Sequence, residues 1–131
     1  MLEWFTNWRM KVNLKKCEAI RVTRKKSPLQ GSYHIGNHVI SQTDTQKDLG
    51  VILNTDLKWS SHISSISSKA NKLLGFLHRT CDPRFGPTVK RSLYVSLVRS
   101  YLGYASEVWT PLYIGGLRTL EAVQRRATKY I

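Results

Sequence analysis

The sequence is short of acidic residues and has no long apolar run. Of its 131 residues, 8 are Asp or Glu and 21 are Lys or Arg, which gives a formal net charge of +13. The longest apolar stretch, residues 49–53, is far shorter than the roughly 20 residues that a membrane-spanning helix needs. The sequence therefore predicts no spanning segment and no membrane partner.

Cysteines and clustered catalytic groups are also scarce. Cys17 and Cys81 allow at most one disulfide, and we expect both thiols to be reduced in an intracellular protein, nuclear or cytoplasmic. The sequence has no second pair of metal ligands at zinc spacing, no Gly-rich phosphate loop and no adjacent pair of carboxylates. It thus predicts no metal site, no bound cofactor and no complete catalytic constellation.

The excess of positive charge is greatest after Trp59. That part carries 11 basic and 3 acidic residues, against 10 basic and 5 acidic residues before it. A solvated protein surface ordinarily mixes the two signs, so the imbalance favours a polyanionic partner. Nucleic acid is the first expectation. An anionic membrane surface is the second, but the sequence lacks the broad, bulky apolar face of an interfacial helix.

Apolar periodicity predicts an α+β fold that begins with strands. After a short amphipathic helix over residues 2–11, the pattern predicts short antiparallel strands at residues 17–24, 32–35, 38–42 and 48–54. The pair Gly36-Asn37 lies between the second and third of these and predicts a two-residue hairpin turn.

After Trp59 the apolar period becomes about 3.6, which predicts three helices. We therefore divide the chain into residues 1–59 and 60–131. The first helix, capped by Ser60 or Ser61, has the apolar stripe Ile63, Ile66, Ala70, Leu73, Leu74 and Leu77. The predicted face of the second, roughly residues 88–108, is Val89, Leu93, Leu97, Tyr101 and Ala105. The face of the third is Leu117, Leu120, Ala127 and Ile131.

Cations lie beside or opposite the apolar faces of the first and last of these helices. On the first helix, Lys69, Lys72 and Arg79 fall within one sector beside the stripe, with His62 on its edge. On the last helix the cations are Arg118, Arg125, Arg126 and Lys129, opposite its apolar residues. Ordinary solvated side chains are the alternative, but the shortage of acidic partners favours binding to phosphates. The four tryptophans are more typical of packing than of stacking on bases.

Spaced motifs run along nearly the whole chain. Trp4 and Trp8 precede NLKKC at residues 13–17, and DLGVILNTDLKW follows at residues 48–59. The downstream motifs are LYVSLV at 93–98, YASEVWTP at 104–111 and LEAVQRRA at 120–127. Their order is similar to that in reverse transcriptases of non-LTR (LINE-type, jockey-like) retrotransposons, just after the catalytic core.

The resemblance implies roles within a right-handed polymerase. Residues 1–59 would be the end of the palm and residues 60–131 a helical thumb. Lys16, with Lys15 beside it, would neutralise or protonate the leaving pyrophosphate. Leu49 and Gly50 would belong to the primer grip, where a small residue lets the primer backbone approach. The alternatives are a solvated lysine and a glycine at a β-bulge.

The metal-binding aspartate pair of such polymerases has no counterpart here, because its position would fall upstream of Met1. The resemblance therefore implies a fragment of an RNA-directed DNA polymerase that is not catalytically competent alone, and Mg²⁺ would belong to the complete enzyme. Its partners would be template–primer nucleic acid and the upstream fingers and palm. The alternative is a free-standing basic nucleic-acid-binding protein without a polymerase role.

Overall fold

A computed structural model of the chain describes residues 2–23, 25–27, 31–111 and 113–131. The chain divides into two compact units, a strand unit of residues 1–58 and a helical unit of residues 59–131. The fold is a mixture of short strands and helices, as the sequence predicts. Arg24, at the end of the first predicted strand, lies outside the described residues.

The strand unit begins with α1, Leu2–Asn7, which is shorter than the helix predicted over residues 2–11. A single 3₁₀ turn, Leu14–Lys16, follows. Trp4 and Trp8 are 54% and 66% exposed as whole residues. The prediction that the tryptophans are packing residues is therefore wrong for these two.

Three strands form a sheet in the order β1, β3, β2, with β1 at Glu18–Ile20, β2 at Tyr33–Ile35 and β3 at His38–Thr43. β2 and β3 are antiparallel neighbours joined by Gly36-Asn37, and the φ of 60° at Gly36 suits a two-residue turn, so the hairpin prediction is confirmed. β1 pairs with β3 in parallel, which the antiparallel prediction missed. Residues 21–37 separate these two strands and are long enough for the crossover that parallel pairing requires.

A second sheet is the antiparallel hairpin of β4, Thr45–Asp48, and β5, Val51–Asn54. Leu49 and Gly50 form its two-residue turn, with φ of 45° and 89°. The apolar run predicted that these two residues lie inside a strand, and this prediction is wrong. Positive φ at both central residues matches the right-handed twist of the flanking strands, and this turn geometry overrides the β propensity of the run.

In the described part of the helical unit, all regular structure is helical. Its elements are α2 Ser60–Thr80, α3 Pro87–Leu93, a π-helical turn Tyr94–Arg99, α4 Ser100–Gly103, α5 Ser106–Trp109 and α6 Ile114–Tyr130. α2 begins at Ser60, but Trp59 precedes it at the capping position and makes no side-chain cap, so the serine cap is not formed. α5 is additional to the three helices predicted.

The π-helical turn changes which face of the second helical segment is buried. Val98 and Leu102 point into the core, whereas Val89, Leu97 and Tyr101, on the predicted face, are substantially exposed. A π turn closes hydrogen bonds over five residues, so the residues after it are displaced around the helix axis from a 3.6-residue pattern. The helical run also ends at Gly103, and Ala105 then adopts a left-handed φ of 51°.

The core of the helical unit joins α2 to the segment around Val98 and to α6. Its buried members are Ala70, Leu74, Leu77, Val98, Leu102, Val123 and Ala127. The stripe predicted for α2 is confirmed, because its residues are buried or partly buried. On α6 the buried face centres on Val123 and Ala127, and Leu117 is exposed, which corrects its predicted place in that face.

Candidate nucleic-acid interface

The seven cations predicted on the helical unit are all exposed, and their surroundings differ. Lys69 lies on the side of α2 that faces α4. The side chains of Arg126 and Lys129 line a groove against α2, although the position of Lys129 on α6 is on the outward side of the helix. Lys72, Arg118 and Arg125 lie away from the buried helix faces, while Arg79 bends back along α2. The structure thus does not bring them into a single cluster.

The outward face of α6 carries a cationic ridge. Arg118, Arg125 and Lys129 stand at spacings of seven and four residues, which place them within about 40° on a helix of 100° per residue. The ridge extends about 16 Å along the axis at 1.5 Å per residue. Arg125 Nη2 also lies 3.0 Å from Glu121 Oε2, but both side chains are exposed, and pairs of this kind contribute little to stability.

Lys69 is held by an aromatic partner. Its ammonium donates a hydrogen bond to Tyr101 Oη at 3.4 Å and lies 5.6 Å from the centre of that ring. The contact ties the ammonium of Lys69 to α4, while on the regular helix α2 the residue stays in the same sector as Lys72 and Arg79.

His62, predicted at the edge of the cationic sector, is instead a packing residue. Its side chain is 2% exposed, and its ring meets that of Trp109 edge to face at 5.1 Å. Burial, and secondarily the charge of Lys69, hold the pKa of His62 below its ordinary value of 6.5. Trp109 is fixed in turn, because its indole N–H donates to the Tyr104 carbonyl at 2.7 Å.

A groove lies between α2 and α6. It has a volume of about 300 Å³ and is lined by Asn71, Leu74, Gly75, His78, Arg126 and Lys129. Leu74 and Gly75 give it an apolar floor, and the cations of α6 stand at its rim. We call it the α2–α6 groove. It brings two of the predicted cations, Arg126 and Lys129, together with Leu74 of the predicted stripe and three residues that the sequence analysis did not single out.

Two side chains at the groove are held in place. Arg126 Nη1 donates a hydrogen bond to Asn71 Oδ1 at 2.7 Å, which joins α6 to α2. Arg79 bends back along its own helix, so that its Nη1 lies 3.4 Å from where a Cβ at Gly75 would stand. A third cation, Arg79, therefore lies close to the groove floor.

Tyr130 packs against His78, a lining residue of the groove. Its ring lies 4.0 Å from that of His78, between centres, and its hydroxyl donates to the Leu77 carbonyl at 3.2 Å. The hydrogen bond with the Cys81 thiol, together with burial, raises the pKa of Tyr130 to about 12. The hydroxyl therefore keeps its proton at neutral pH, and its hydrogen bond to the Leu77 carbonyl joins the end of α6 to α2.

The predicted site residues of the strand unit are at its surface. Lys15 and Lys16 are exposed in the 3₁₀ turn that precedes β1. Leu49 is 83% exposed at the tip of the β4–β5 hairpin, next to Gly50. At the end of the hairpin opposite the turn, the Thr55 amide donates a hydrogen bond to the Asp44 carbonyl at 3.0 Å.

The described residues contain neither a cluster of metal ligands nor a helix that could span a membrane. There, no three His, Cys, Asp or Glu side chains lie close enough to hold a metal ion. No helix in the same part of the chain has the length and apolarity to cross a bilayer. Cys17 and Cys81 are free thiols.

Sequence reasoning missed Asn71, Gly75 and His78 because each is unremarkable by itself. The sequence did contain a signal for them. Their spacings of four and three residues place all three on one flank of the α2 stripe, and that flank has small and neutral polar side chains where the other flank has lysines. What faces that flank depends on how α6 packs, and the sequence pattern does not determine that.

Comparisons of the chain with protein-family models, with curated proteins and with solved structures find no match. The side chains of the helical unit alone define the candidate interface. They comprise an outward cationic ridge on α6, a groove with a cationic rim, and separate cations on α2.

Proposed function

We propose that this chain is the palm-end and thumb part of a reverse transcriptase of the non-LTR retrotransposon type, and that its helical unit grips template–primer nucleic acid through backbone phosphates. The resemblance of its spaced motifs to such enzymes supports the polymerase context. The observation that carries the binding role is the exposure of seven cations on α2 and α6, in a unit with 11 basic and 3 acidic residues.

Phosphate contact suits these cations better than base reading. Sequence is read by side chains that reach base edges, commonly as bidentate pairs from a helix inserted in the major groove. The ridge of Arg118, Arg125 and Lys129 is instead spread along about 16 Å of helix, a spacing that favours successive phosphates over a single base pair. We therefore expect affinity without sequence preference.

A second candidate, a free-standing nucleic-acid-binding protein, is favoured by a specific feature of the helical unit. The buried cluster that includes Leu74, Val98 and Val123 belongs to that unit, and the cations lie outside it. Such a unit needs no polymerase to present a cationic surface. The two candidates share the binding mode and differ in what precedes the chain.

Equilibrium binding of the full chain tests the shared binding mode. Fluorescence anisotropy would be measured with a labelled RNA–DNA hybrid and with two DNA duplexes of unrelated sequence, at fixed salt. The proposal expects dissociation constants of the two DNA duplexes to agree within about threefold, since each mismatch in a sequence-reading protein costs about 1–3 kcal/mol. A preference of a hundredfold for one sequence would contradict it.

Mapping the transcript separates the two candidates. An open reading frame that continues upstream into an aspartate-pair motif supports the polymerase part. An in-frame stop upstream, with independent expression of the chain, supports the free-standing binder instead.

A further inference from the structure

We infer that the α2–α6 groove holds one sugar–phosphate unit of a nucleic-acid backbone, with the sugar on the floor of Leu74 and Gly75 and the phosphate between Arg126 and Lys129. The inference rests on the proposed function and deepens it, because it gives one place on the helical unit a defined ligand chemistry.

The shape and polarity of the groove favour a sugar–phosphate over a bare anion. Its volume of about 300 Å³ is that of roughly ten water molecules in the liquid, which is more than one phosphate group fills. The floor offers apolar contact from Leu74 and an open backbone at Gly75. A pentose ring has an apolar face for this floor, and its ester phosphate then reaches the cationic rim.

The rim is organised before any ligand arrives. Asn71 holds Arg126 through one nitrogen, at 2.7 Å, and leaves the other donors of the guanidinium for a ligand. His78 is kept at the end of the groove by its ring contact with Tyr130. Fixing a side chain beforehand removes part of the entropy cost of binding, so Asn71 is a positioning residue for Arg126.

A purely structural role for the rim is the competing account. Lys129 and Arg79 lie near the C-terminal ends of their helices, where a cation is stabilised by the helix dipole. That role predicts an effect on folding stability and none on binding. The apolar floor has no part in it, and variants of the floor therefore distinguish the two accounts.

The test uses the full chain and two probes that carry equal charge. One is a hexamer of abasic deoxyribose phosphate, and the other is linear polyphosphate, which has no sugar. Gly75→Ala places a methyl group on the groove floor at an ordinary distance from Arg79, and alanine favours the helix, so the variant should fold. Lys72→Ala, on the outward side of the same helix, is the control.

The inference expects Gly75→Ala to bind the abasic hexamer roughly tenfold more weakly, with polyphosphate affinity unchanged. Asn71→Ala should also weaken the hexamer, whereas Lys72→Ala should lower both affinities by a similar small factor. In nuclear magnetic resonance spectra of the wild-type chain, the Gly75 amide and Leu74 methyl signals should shift with the hexamer and not with polyphosphate.

Two results would overturn the inference. One leaves the proposed nucleic-acid binding intact, and the other overturns it as well. If Gly75→Ala and Asn71→Ala bind both probes as the wild type does, the groove is not the site, although binding by the outer cations stands. If the wild-type chain binds neither probe nor a duplex, the proposed function fails together with the groove.

Discussion

Val98 offers the sharpest test of how the helical unit packs. It is fully buried in the π-helical turn, whereas Val95, three residues before it, is 44% exposed. The apolar period alone predicts a different buried face, in which Leu97 and not Val98 points into the core. Truncation of each side chain to alanine therefore reports which face of this segment is packed.

The expected cost follows from burial. Val98→Ala removes two carbon groups from full burial, at about 0.8 kcal/mol each, and adds a small cavity term, so we expect a loss of about 2 kcal/mol in the free energy of unfolding. Val95→Ala removes the same groups from a surface that is partly wet and gains helix propensity, so we expect at most about 0.5 kcal/mol. Leu97→Ala should cost less than Val98→Ala despite the larger truncation.

Urea denaturation followed by circular dichroism at 222 nm measures these differences. A loss of 2 kcal/mol should also lower the melting temperature by several degrees, at roughly 3–6 °C per kcal/mol for a chain of this size. The packing described for this segment is refuted if Leu97→Ala is the most damaging of the three variants, or if Val95→Ala and Val98→Ala cost the same.

Three further predictions concern pH, turn geometry and catalysis. The unfolded chain takes up a proton at His62 more readily than the folded chain, because burial and Lys69 lower the folded pKa. Stability should therefore be complete above about pH 6.5 and decrease as the pH falls below it. His62→Gln should flatten that decrease in urea titrations, and an unchanged pH profile would contradict the assignment. Leu49→Asn should raise the free energy of unfolding by about 1 kcal/mol, since asparagine tolerates the left-handed conformation at this turn; a destabilised variant would oppose this. The chain alone should not extend a primed template with Mg²⁺, because its eight acidic residues include no adjacent pair; template-dependent incorporation of labelled nucleotide by pure protein would disprove it.

Sequence patterns predicted the local features that depend on a few neighbouring residues. The α2 stripe follows a 3.6-residue period from Ile63 to Leu77 and is buried as expected. The Gly36-Asn37 turn was equally predictable, because glycine is the residue that accepts positive φ at the first position of such a turn. In both cases the sequence carries the whole physical cause.

Other features depend on contacts that no local pattern contains. β4 consists of polar residues, Thr45–Asp48, without apolar alternation, so its pairing with β5 leaves no periodic signal. The π-helical turn displaces the register by its own hydrogen bonding, and Tyr94 and Val98 therefore replace Leu97 at the core. The α2–α6 groove exists because α6 packs beside Asn71 and Gly75. The cations can be identified from the sequence, but this packing cannot.

The salt dependence of duplex affinity tests the central claim, that the cations of the helical unit bind backbone phosphates. Affinity would be measured across a range of salt for the wild type, for Arg125→Ala with Arg126→Ala, and for Arg84→Ala, a control in which the exposed arginine also has a carboxylate neighbour, Asp82 at 3.9 Å. Each lost phosphate contact lowers the magnitude of the log–log slope by about one. The account predicts a double variant that binds more weakly with a slope flatter by at most about two, and a control that matches the wild type. A folded double variant with unchanged affinity and slope would contradict it.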